Sequence, residues 1–312
     1  MAYIIETKNL TKKFGTLVAV NGINLQVKEG EIFGFLGPNG AGKTTTINML
    51  TTLMKPTSGA ASVAGYDLIK ESSQVRSVIG VVPQTFSLFP ELTAEENLAY
   101  IGKLYGMKES AIKERTEFLL KTVVLYEHRN RISGDYSGGM KQRLSVAASI
   151  MSSPRILFMD EPTTGLDPQS RIAIRDLTRE LNKSGITIFY TTHDMEEADK
   201  LCDRITIMDK GSIVAIGTST ELKNMISTKQ TVEVELQTVS KHIIPELKKL
   251  PYIISVQHHN KNLHLNLSQR NGTFAKLNKF FINHKQEVID IKVKEPSLED
   301  VFVGLTKKDL RD

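Results

Sequence analysis

The spacing of apolar and polar positions changes period along the chain, and each change marks an element. Ile4-Ile5-Glu6-Thr7 and Ile23-Asn24-Leu25-Gln26-Val27 alternate or cluster apolar residues as strands do. Lys28-Glu29-Gly30-Glu31 is a turn. Ile32 to Leu36 is a continuous apolar run, as in a buried strand, and it ends in a glycine-rich loop at Gly37. A helical pattern follows from Lys43 to Leu53, then a strand from Val78 to Val82 that ends at Pro83-Gln84. Leu92 to Leu125 is mostly helical and charged, and Ser137-Gly138-Gly139 opens another helix reaching about Met151. Ile156 to Met159 and Ile186 to Tyr190 are short apolar runs between turn residues, which predicts central parallel strands. Ile205 to Met208, Asp209-Lys210-Gly211 and Ile213 to Ile216 form a hairpin pattern. Strands alternating with helices predict an α/β parallel sheet.

The pattern shifts near Gly217 to Thr228, the expected boundary of a second unit. Val232 to Leu236 alternates as a strand, and Val239 to Leu250 is helical. Ile253 to Gln257 and Leu263 to Leu267 are strands, Phe274 to His284 is an amphipathic helix, and Val288 to Val293 alternates again. The order β-α-β-β-α-β is that of a ferredoxin-like unit. A final helix, Leu298 to Leu305, follows Pro296.

Composition narrows the class. A chain of 312 residues with 40% hydrophobic and 24% charged positions buries enough apolar surface to fold. No apolar run approaches the length of a membrane span, and the early charges in Met1 to Lys13 do not fit a signal peptide. The single cysteine, Cys202, permits no internal disulfide, which fits a reducing compartment. The net charge of +5 is carried mostly by the last third. No basic block accompanies it, so a nucleic-acid partner is not expected.

Gly37-Pro38-Asn39-Gly40-Ala41-Gly42-Lys43-Thr44-Thr45 has phosphate-loop spacing, between a strand and a helix as that motif requires. Glycines let backbone N–H groups approach phosphate oxygens, and the helix start favours an anion. Lys43 supplies a point charge, and the Thr44 hydroxyl can ligate Mg²⁺. The strand Ile156 to Met159 ends in Asp160-Glu161. Open α/β sheets bind ligands beyond the carboxyl ends of their strands, so both carboxylates face the phosphate region. Asp160 is expected to hold Mg²⁺ through water, and Glu161 to polarise the attacking water.

The succession of phosphate loop, Gln84 after a strand, Ser137-Gly138-Gly139, Asp160-Glu161-Pro162, Gly165-Leu166-Asp167 and His193 resembles the ATP-binding cassette (ABC) family over about residues 3 to 220. The resemblance implies a P-loop NTPase fold of ABC type, with a mixed sheet core and a helical subdomain at about 86–152. It places a nucleotide-binding domain at 1–220 and a small α+β ferredoxin-like domain at 228–312. It further implies ATP and Mg²⁺ as cofactors. By that resemblance Phe14 stacks on adenine, and Gly37 to Thr45 cradle the phosphates. Gln84 contacts Mg²⁺ and water and links to a membrane partner, and His193 contacts the γ phosphate. Ser137-Gly138-Gly139 caps the ATP of a second subunit, and Asp167 communicates across that homodimer. Tyr136 and Met140 replace the commonest first and last residues of this signature, which is similar to the drug-resistance-type branch.

The C-terminal unit and its closing Glu295-Pro296-Ser297-Leu298-Glu299-Asp300-Val301-Phe302 resemble the accessory domain of daunorubicin-resistance-type exporter ATPases. That implies a docking or dimer-stabilising helix. His258, His259 and His264 lack further ligands at metal spacing and are expected at the surface. The expectation is thus the ATPase subunit of an exporter of ABC-2 type, peripheral at the cytoplasmic face of the membrane. It would form a homodimer on ATP binding and work with a separate polytopic permease. An importer ATPase with a C-terminal sensor stands as the nearest alternative, and a soluble cassette ATPase as a more distant one.

Overall fold

A computed structural model describes residues 3–226, 230–240, 242–268, 273–294 and 296–306. The chain divides into two compact units, Met1–Thr218 and Ser219–Asp312.

The first unit contains, in chain order, β1 (Tyr3–Phe14), β2 (Leu17–Lys28), β3 (Ile32–Leu36), α1 (Lys43–Leu50), β4 (Ser58–Val63), β5 (Tyr66–Asp67), α2 (Ser72–Val78) and β6 (Ile79–Val82). It continues with α3 (Ala94–Leu104), α4 (Glu109–Thr122), α5 (Gly138–Ser149), β7 (Ile156–Asp160), α6 (Pro168–Lys183), β8 (Thr187–Thr192), α7 (Met195–Leu201), β9 (Arg204–Asp209) and β10 (Ser212–Gly217). One sheet has the order β2-β1-β4-β5 and is antiparallel. The other has the order β10-β9-β3-β8-β7-β6, in which only β10 runs antiparallel to its neighbour. The core sheet is therefore mixed, as the resemblance implies. In the antiparallel sheet, β1 and β2 contain the expected strand segments at Ile4 to Thr7 and Ile23 to Val27, whereas the short hairpin β4–β5 lies outside the expected elements.

Every residue of β3, β7 and β8 is buried. Both faces of these strands are covered, so their sequences read as apolar runs instead of alternating. On one face Phe33, Phe35, Phe158 and Phe189 pack together, with Phe189 centroids 5.8, 5.3 and 5.3 Å from the other three. On the other, Leu157, Met159, Ile188 and Tyr190 pack under the helical subdomain through Leu98, Leu119, Leu144 and Val146. The long helical stretch from Leu92 resolves into α3 and α4. It breaks at Gly106, whose φ of +69° takes the left-handed conformation that glycine tolerates best. A capping box fixes the start of α3: Glu96 N donates to Thr93 Oγ1 and Thr93 N to Glu96 Oε2.

Several boundaries differ from expectation: the helix expected from Lys43 to Leu53 ends at Leu50, the one expected from Val239 to Leu250 spans Ile243–Lys248, and two further differences bear on the fold. The apolar run ending at Tyr190 continues as strand through Thr191 and Thr192. The backbone there still pairs with Asp160 on one side and with Phe35 and Leu36 on the other. The boundary segment after Gly217 is a helix, α8 (Ser219–Ile226), and it belongs to the second unit.

That unit continues with β11 (Gln230–Leu236), α9 (Ile243–Lys248), β12 (Ile253–His259), β13 (Asn262–Leu267), α10 (Thr273–Asn283), β14 (Val288–Lys294) and α11 (Leu298–Thr306). Its antiparallel sheet has the order β12-β13-β11-β14, as a ferredoxin-like unit requires. Val232, Val234 and Leu236 alternate inward with Leu263, Leu265 and Leu267 against Leu247, Leu277 and Phe281. Helix α11 packs against α8; a Cβ on Gly304 would lie 3.1 Å from Ile226 Cγ2. In the closing motif Glu295 falls outside the described residues. His258 and His259 are exposed, and no metal-binding cluster occurs among the described residues.

Phe189 is the ring that the other three share. Phe189→Ala is expected to destabilise the first unit by about 3–5 kcal/mol. The change should appear as a lower denaturant midpoint with an unchanged slope.

Candidate functional site

The phosphate loop connects β3 to α1, and its glycines answer to specific crowding. A Cβ on Gly37 would lie 2.4 Å from the Met208 carbonyl oxygen. Gly42 has φ +106°, and a Cβ there would lie 2.5 Å from the Ala19 carbonyl oxygen. Gly42 is also the N-cap of α1, and no side chain caps that helix. The first-turn N–H groups therefore have no intrahelical acceptor and no capping oxygen. Ala41 is buried against this loop, and its N–H donates to Pro38 O at 3.1 Å.

Lys43 turns inward and is 5% exposed. Its Nζ donates to Gly37 O at 2.8 Å and Pro38 O at 3.2 Å, and pairs with Glu161 Oε1 at 3.0 Å. Glu161 has a left-handed backbone, φ +48°, just past the end of β7. Its other carboxylate oxygen accepts from Thr164 Oγ1 at 3.1 Å and lies 3.0 Å from His193 Nδ1. A carboxylate only accepts, so Nδ1 carries the proton. Burial alone pushes the Glu161 carboxyl up. Lys43 and His193 outweigh it and hold the group below its ordinary value.

Asp160 is buried, and its Oδ1 accepts from Thr191 Oγ1 at 2.6 Å. The same hydroxyl oxygen accepts from Glu161 N at 3.0 Å. A single threonine thus holds both carboxylate residues at the β7–β8 seam.

These residues border a cleft of ≈ 530 Å³. Its lining includes the expected Phe14, Asn39, Gly40, Gly42, Lys43, Thr44, Thr45, Gln84 and Glu161. Leu17 and Ala19 line it as well and were not expected. Phe14 is 46% exposed, with Lys12 Nζ 5.2 Å from its ring centroid. Gly37, Pro38, Ala41, Asp160 and His193 support the cleft from behind or beside rather than line it.

Ser137, Gly138, Gly139 and Asp167 do not line this cleft. Ser137 is the N-cap of α5, its Oγ accepting from Met140 N at 3.3 Å. Asp167 caps α6, with Pro168 in the first turn, and accepts from Ser170 N at 3.0 Å and Ser170 Oγ at 2.6 Å. Those two donors hold the Asp167 carboxyl below its ordinary value. The two helix starts abut, since a Cβ on Gly139 would lie 2.1 Å from Ser170 Oγ.

The residues fit a nucleotide with Mg²⁺. An uncapped helix start, a buried ammonium and a loop crowded to glycine suit a polyphosphate. The oxygens of Thr44, Gln84 and Asp160 are the hard donors that Mg²⁺ takes alongside phosphate and water. Sequence reasoning missed Thr191, Thr163, Thr164 and Glu197. Their only signal is a set of hydroxyls at the end of β8 and in the loop after β7, with one acid in the first turn of α7.

The profile of a family described as "ABC transporter" matches residues 20–164. That of an "ATP-binding protein DrrA1-3-like, C-terminal domain" matches residues 217–306. The linearmycin resistance ATP-binding protein LnrL of Bacillus subtilis is 38% identical over 99% of this chain and 100% of its own. The doxorubicin resistance ATP-binding protein DrrA of Mycobacterium tuberculosis is 36% identical over 98% of this chain and 94% of its own. A solved dimeric ATP-binding cassette in a post-hydrolysis state, bound to ADP and phosphate, is 32% identical. It superposes with a TM-score of 0.62 over 69% of this chain and 98% of its own. The chain therefore belongs to the ABC transporter family as an ATP-hydrolysing subunit, and it carries a DrrA1-3-like C-terminal domain.

Proposed function

We propose that this chain powers an exporter of ABC-2 type by hydrolysing ATP in the cleft between Phe14 and Glu161. The observation that carries the reading is Glu161, held at 3.0 Å from both Lys43 and His193 on a left-handed backbone. Phosphates entering the loop compete with Glu161 for the Lys43 ammonium. The carboxylate released from that pair is then free to accept a proton from water, the work of a general base. Phe14 offers an aromatic face to adenine, flanked by Leu17 and Ala19. The loop N–H groups and Lys43 would hold the phosphates; Thr44, Gln84 and Asp160 would hold Mg²⁺, which when bound would offset the charge on the phosphate oxygens. His193, held beside Glu161, would contact the γ phosphate.

Ser137 to Gly139 and Asp167 present two helix starts on a surface apart from the cleft of their own chain. A second copy, packed head to tail, is the partner whose ATP they would cap. Beside Gln84 lies a second groove of ≈ 490 Å³. Leu53, Arg76, Pro83, Ile101, Leu104 and Tyr105 are among its lining residues. Leu53 and Leu104 are 72% and 66% exposed there. We assign this groove to the separate membrane subunit, with the chain held at the cytoplasmic face through it. No helix among the described residues is long and apolar enough to cross a membrane. The match of the C-terminal unit, more than that of the cassette, favours export over import.

Glu161→Gln should retain ATP binding and lower turnover by about 10²–10⁴-fold. Turnover at the wild-type rate would remove Glu161 from the role of base. Tagged Glu161→Gln, captured from detergent-solubilised membranes with Mg-ATP, should bring down a polytopic membrane protein. Recovery of ribosomal or DNA-bound proteins alone would overturn the exporter reading. Leu104→Glu should cut that recovery more than about tenfold, equivalent to the loss of roughly 1.4 kcal/mol or more, and leave nucleotide binding intact.

The ion network also sets a pH dependence. The Glu161 carboxyl lies below its ordinary value of 4.5 in the folded chain. Its contribution to stability is complete above that value and drains as pH falls through the lowered one. Without nucleotide, the wild type should melt above Glu161→Gln at neutral pH. The gap should narrow as pH falls below about 4.5.

A further inference from the structure

Glu197 is an acid in an unexpected place. It sits in the first turn of α7, whose N-cap Asp194 accepts from Glu197 N at 3.0 Å. A capping box would have the Glu197 side chain return to Asp194 N, as Glu96 does to Thr93 in α3. Instead Asp194 N donates to Thr192 Oγ1 at 2.9 Å, and the Glu197 side chain turns into the protein, 4% exposed. Its Oε2 accepts from Thr163 Oγ1 at 2.8 Å and from Thr192 Oγ1 at 3.1 Å. No lysine, arginine or histidine pairs with it among the described residues. Burial and the Glu197 charge push the nearby Tyr190 phenol well up. Such a carboxylate, held only by hydroxyls, costs stability relative to an apolar residue, so its place calls for a reason other than packing.

The reason lies in what the two threonines adjoin. Thr163 is two residues past Glu161, in the loop that runs on to Asp167. Thr192 directly precedes His193. We propose that Glu197 is a positioning residue for ATP hydrolysis: one buried acceptor ties the loop after β7 to the turn after β8, and so holds the Glu161 carboxylate and the His193 ring in register. The Thr191 hydroxyl ties the same two segments one step nearer the strands. Arg171 adds a surface tie, donating Nε to Leu166 O at 3.0 Å with Asp194 Oδ2 at 3.7 Å. Glu197 is the tie that lies between the base and Asp167, so it also fixes where that loop starts toward a second copy. This inference rests on the hydrolytic role given above to Glu161 and His193.

The test uses the full chain, with wild type and Glu161→Gln assayed in parallel. Glu197→Ala should lower kcat about 10–100-fold, the cost of misplacing a reacting group by a fraction of an ångström to an ångström. Affinity for a fluorescent ATP analogue should stay within about twofold of wild type. Glu197→Gln keeps an oxygen that accepts both hydroxyls and should restore kcat to within about threefold. Thr163→Val should lower kcat a few-fold and add nothing in the Glu197→Ala background, as partners in one tie behave. Amides of residues 160–167 and 191–194 should exchange hydrogen faster in Glu197→Ala, and those of β3 should not. A Glu197→Ala kcat within about twofold of wild type overturns the proposal. So does a loss of kcat and affinity in equal proportion without rescue by Gln. If Glu197→Ala does not fold, an unchanged kcat in Thr163→Val overturns it. If wild type hydrolyses no more ATP than Glu161→Gln, the reading of the site fails instead. Hydrogen exchange then decides the tie by itself, and unchanged exchange at 160–167 overturns it.

Discussion

Parallel pairing of β7 with β8 and of β8 with β3 is the constraint from which the site follows. The register sets Asp160 beside Thr191 and Leu36 beside Thr192. Three strands thus end at one edge, and three different loops leave from it: the phosphate loop, the loop of Glu161 and the turn of His193. Parallel strands must be joined by long crossovers, so residues from Lys43 to His193 are gathered from distant points of the chain. The buried Phe cluster on one face and the aliphatic layer on the other hold that edge rigid. Polar side chains at the strand ends then need only short ties to be placed.

Those ties are hydroxyls. Thr191, Thr192, Thr163 and Thr164 each hold a carboxylate at the seam. A threonine is a sensible choice at a strand end. Its branched side chain suits extended backbone, and its hydroxyl serves as both donor and acceptor. Thr191 uses both functions, donating to Asp160 and accepting from the Glu161 amide. The left-handed backbone of Glu161 is uncommon for a residue with a Cβ and costs free energy. It persists because the amide is pinned by the Thr191 hydroxyl and carbonyl together.

The sequence made the strands and the phosphate loop legible because their signals are local. An apolar run of five residues flanked by turns, or a glycine spacing before Lys43, needs no knowledge of the rest of the chain. What stayed hidden is long-range. Ala19 enters the cleft because its carbonyl presses on Gly42, and no spacing rule links those positions. Glu197 looks like an ordinary first-turn acid on a helix, and only the folded chain shows it turned away from solvent. The helix at Ser219–Ile226 was masked because its polar residues resemble a linker, while its partner α11 lies about eighty residues further on.

The Lys43–Glu161 pair has to be both formed and expendable. A buried ion pair recovers in Coulomb attraction roughly what its desolvation costs, so its net worth is small although each half alone would be expensive. That balance suits an exchange of partners. Lys43 is already desolvated and held by two loop carbonyls, so it meets an incoming phosphate without reorganising. Glu161 gives up one cationic neighbour and keeps the hydrogen bonds of Thr164 and His193, which prevent the carboxylate from swinging away. The energy of the exchange is therefore set by the difference between two anions competing for one ammonium, not by the cost of uncovering a buried charge. In the proposed mechanism, a pair of this kind would keep the carboxylate occupied until phosphate arrives, and would then leave it aimed where water is to be activated.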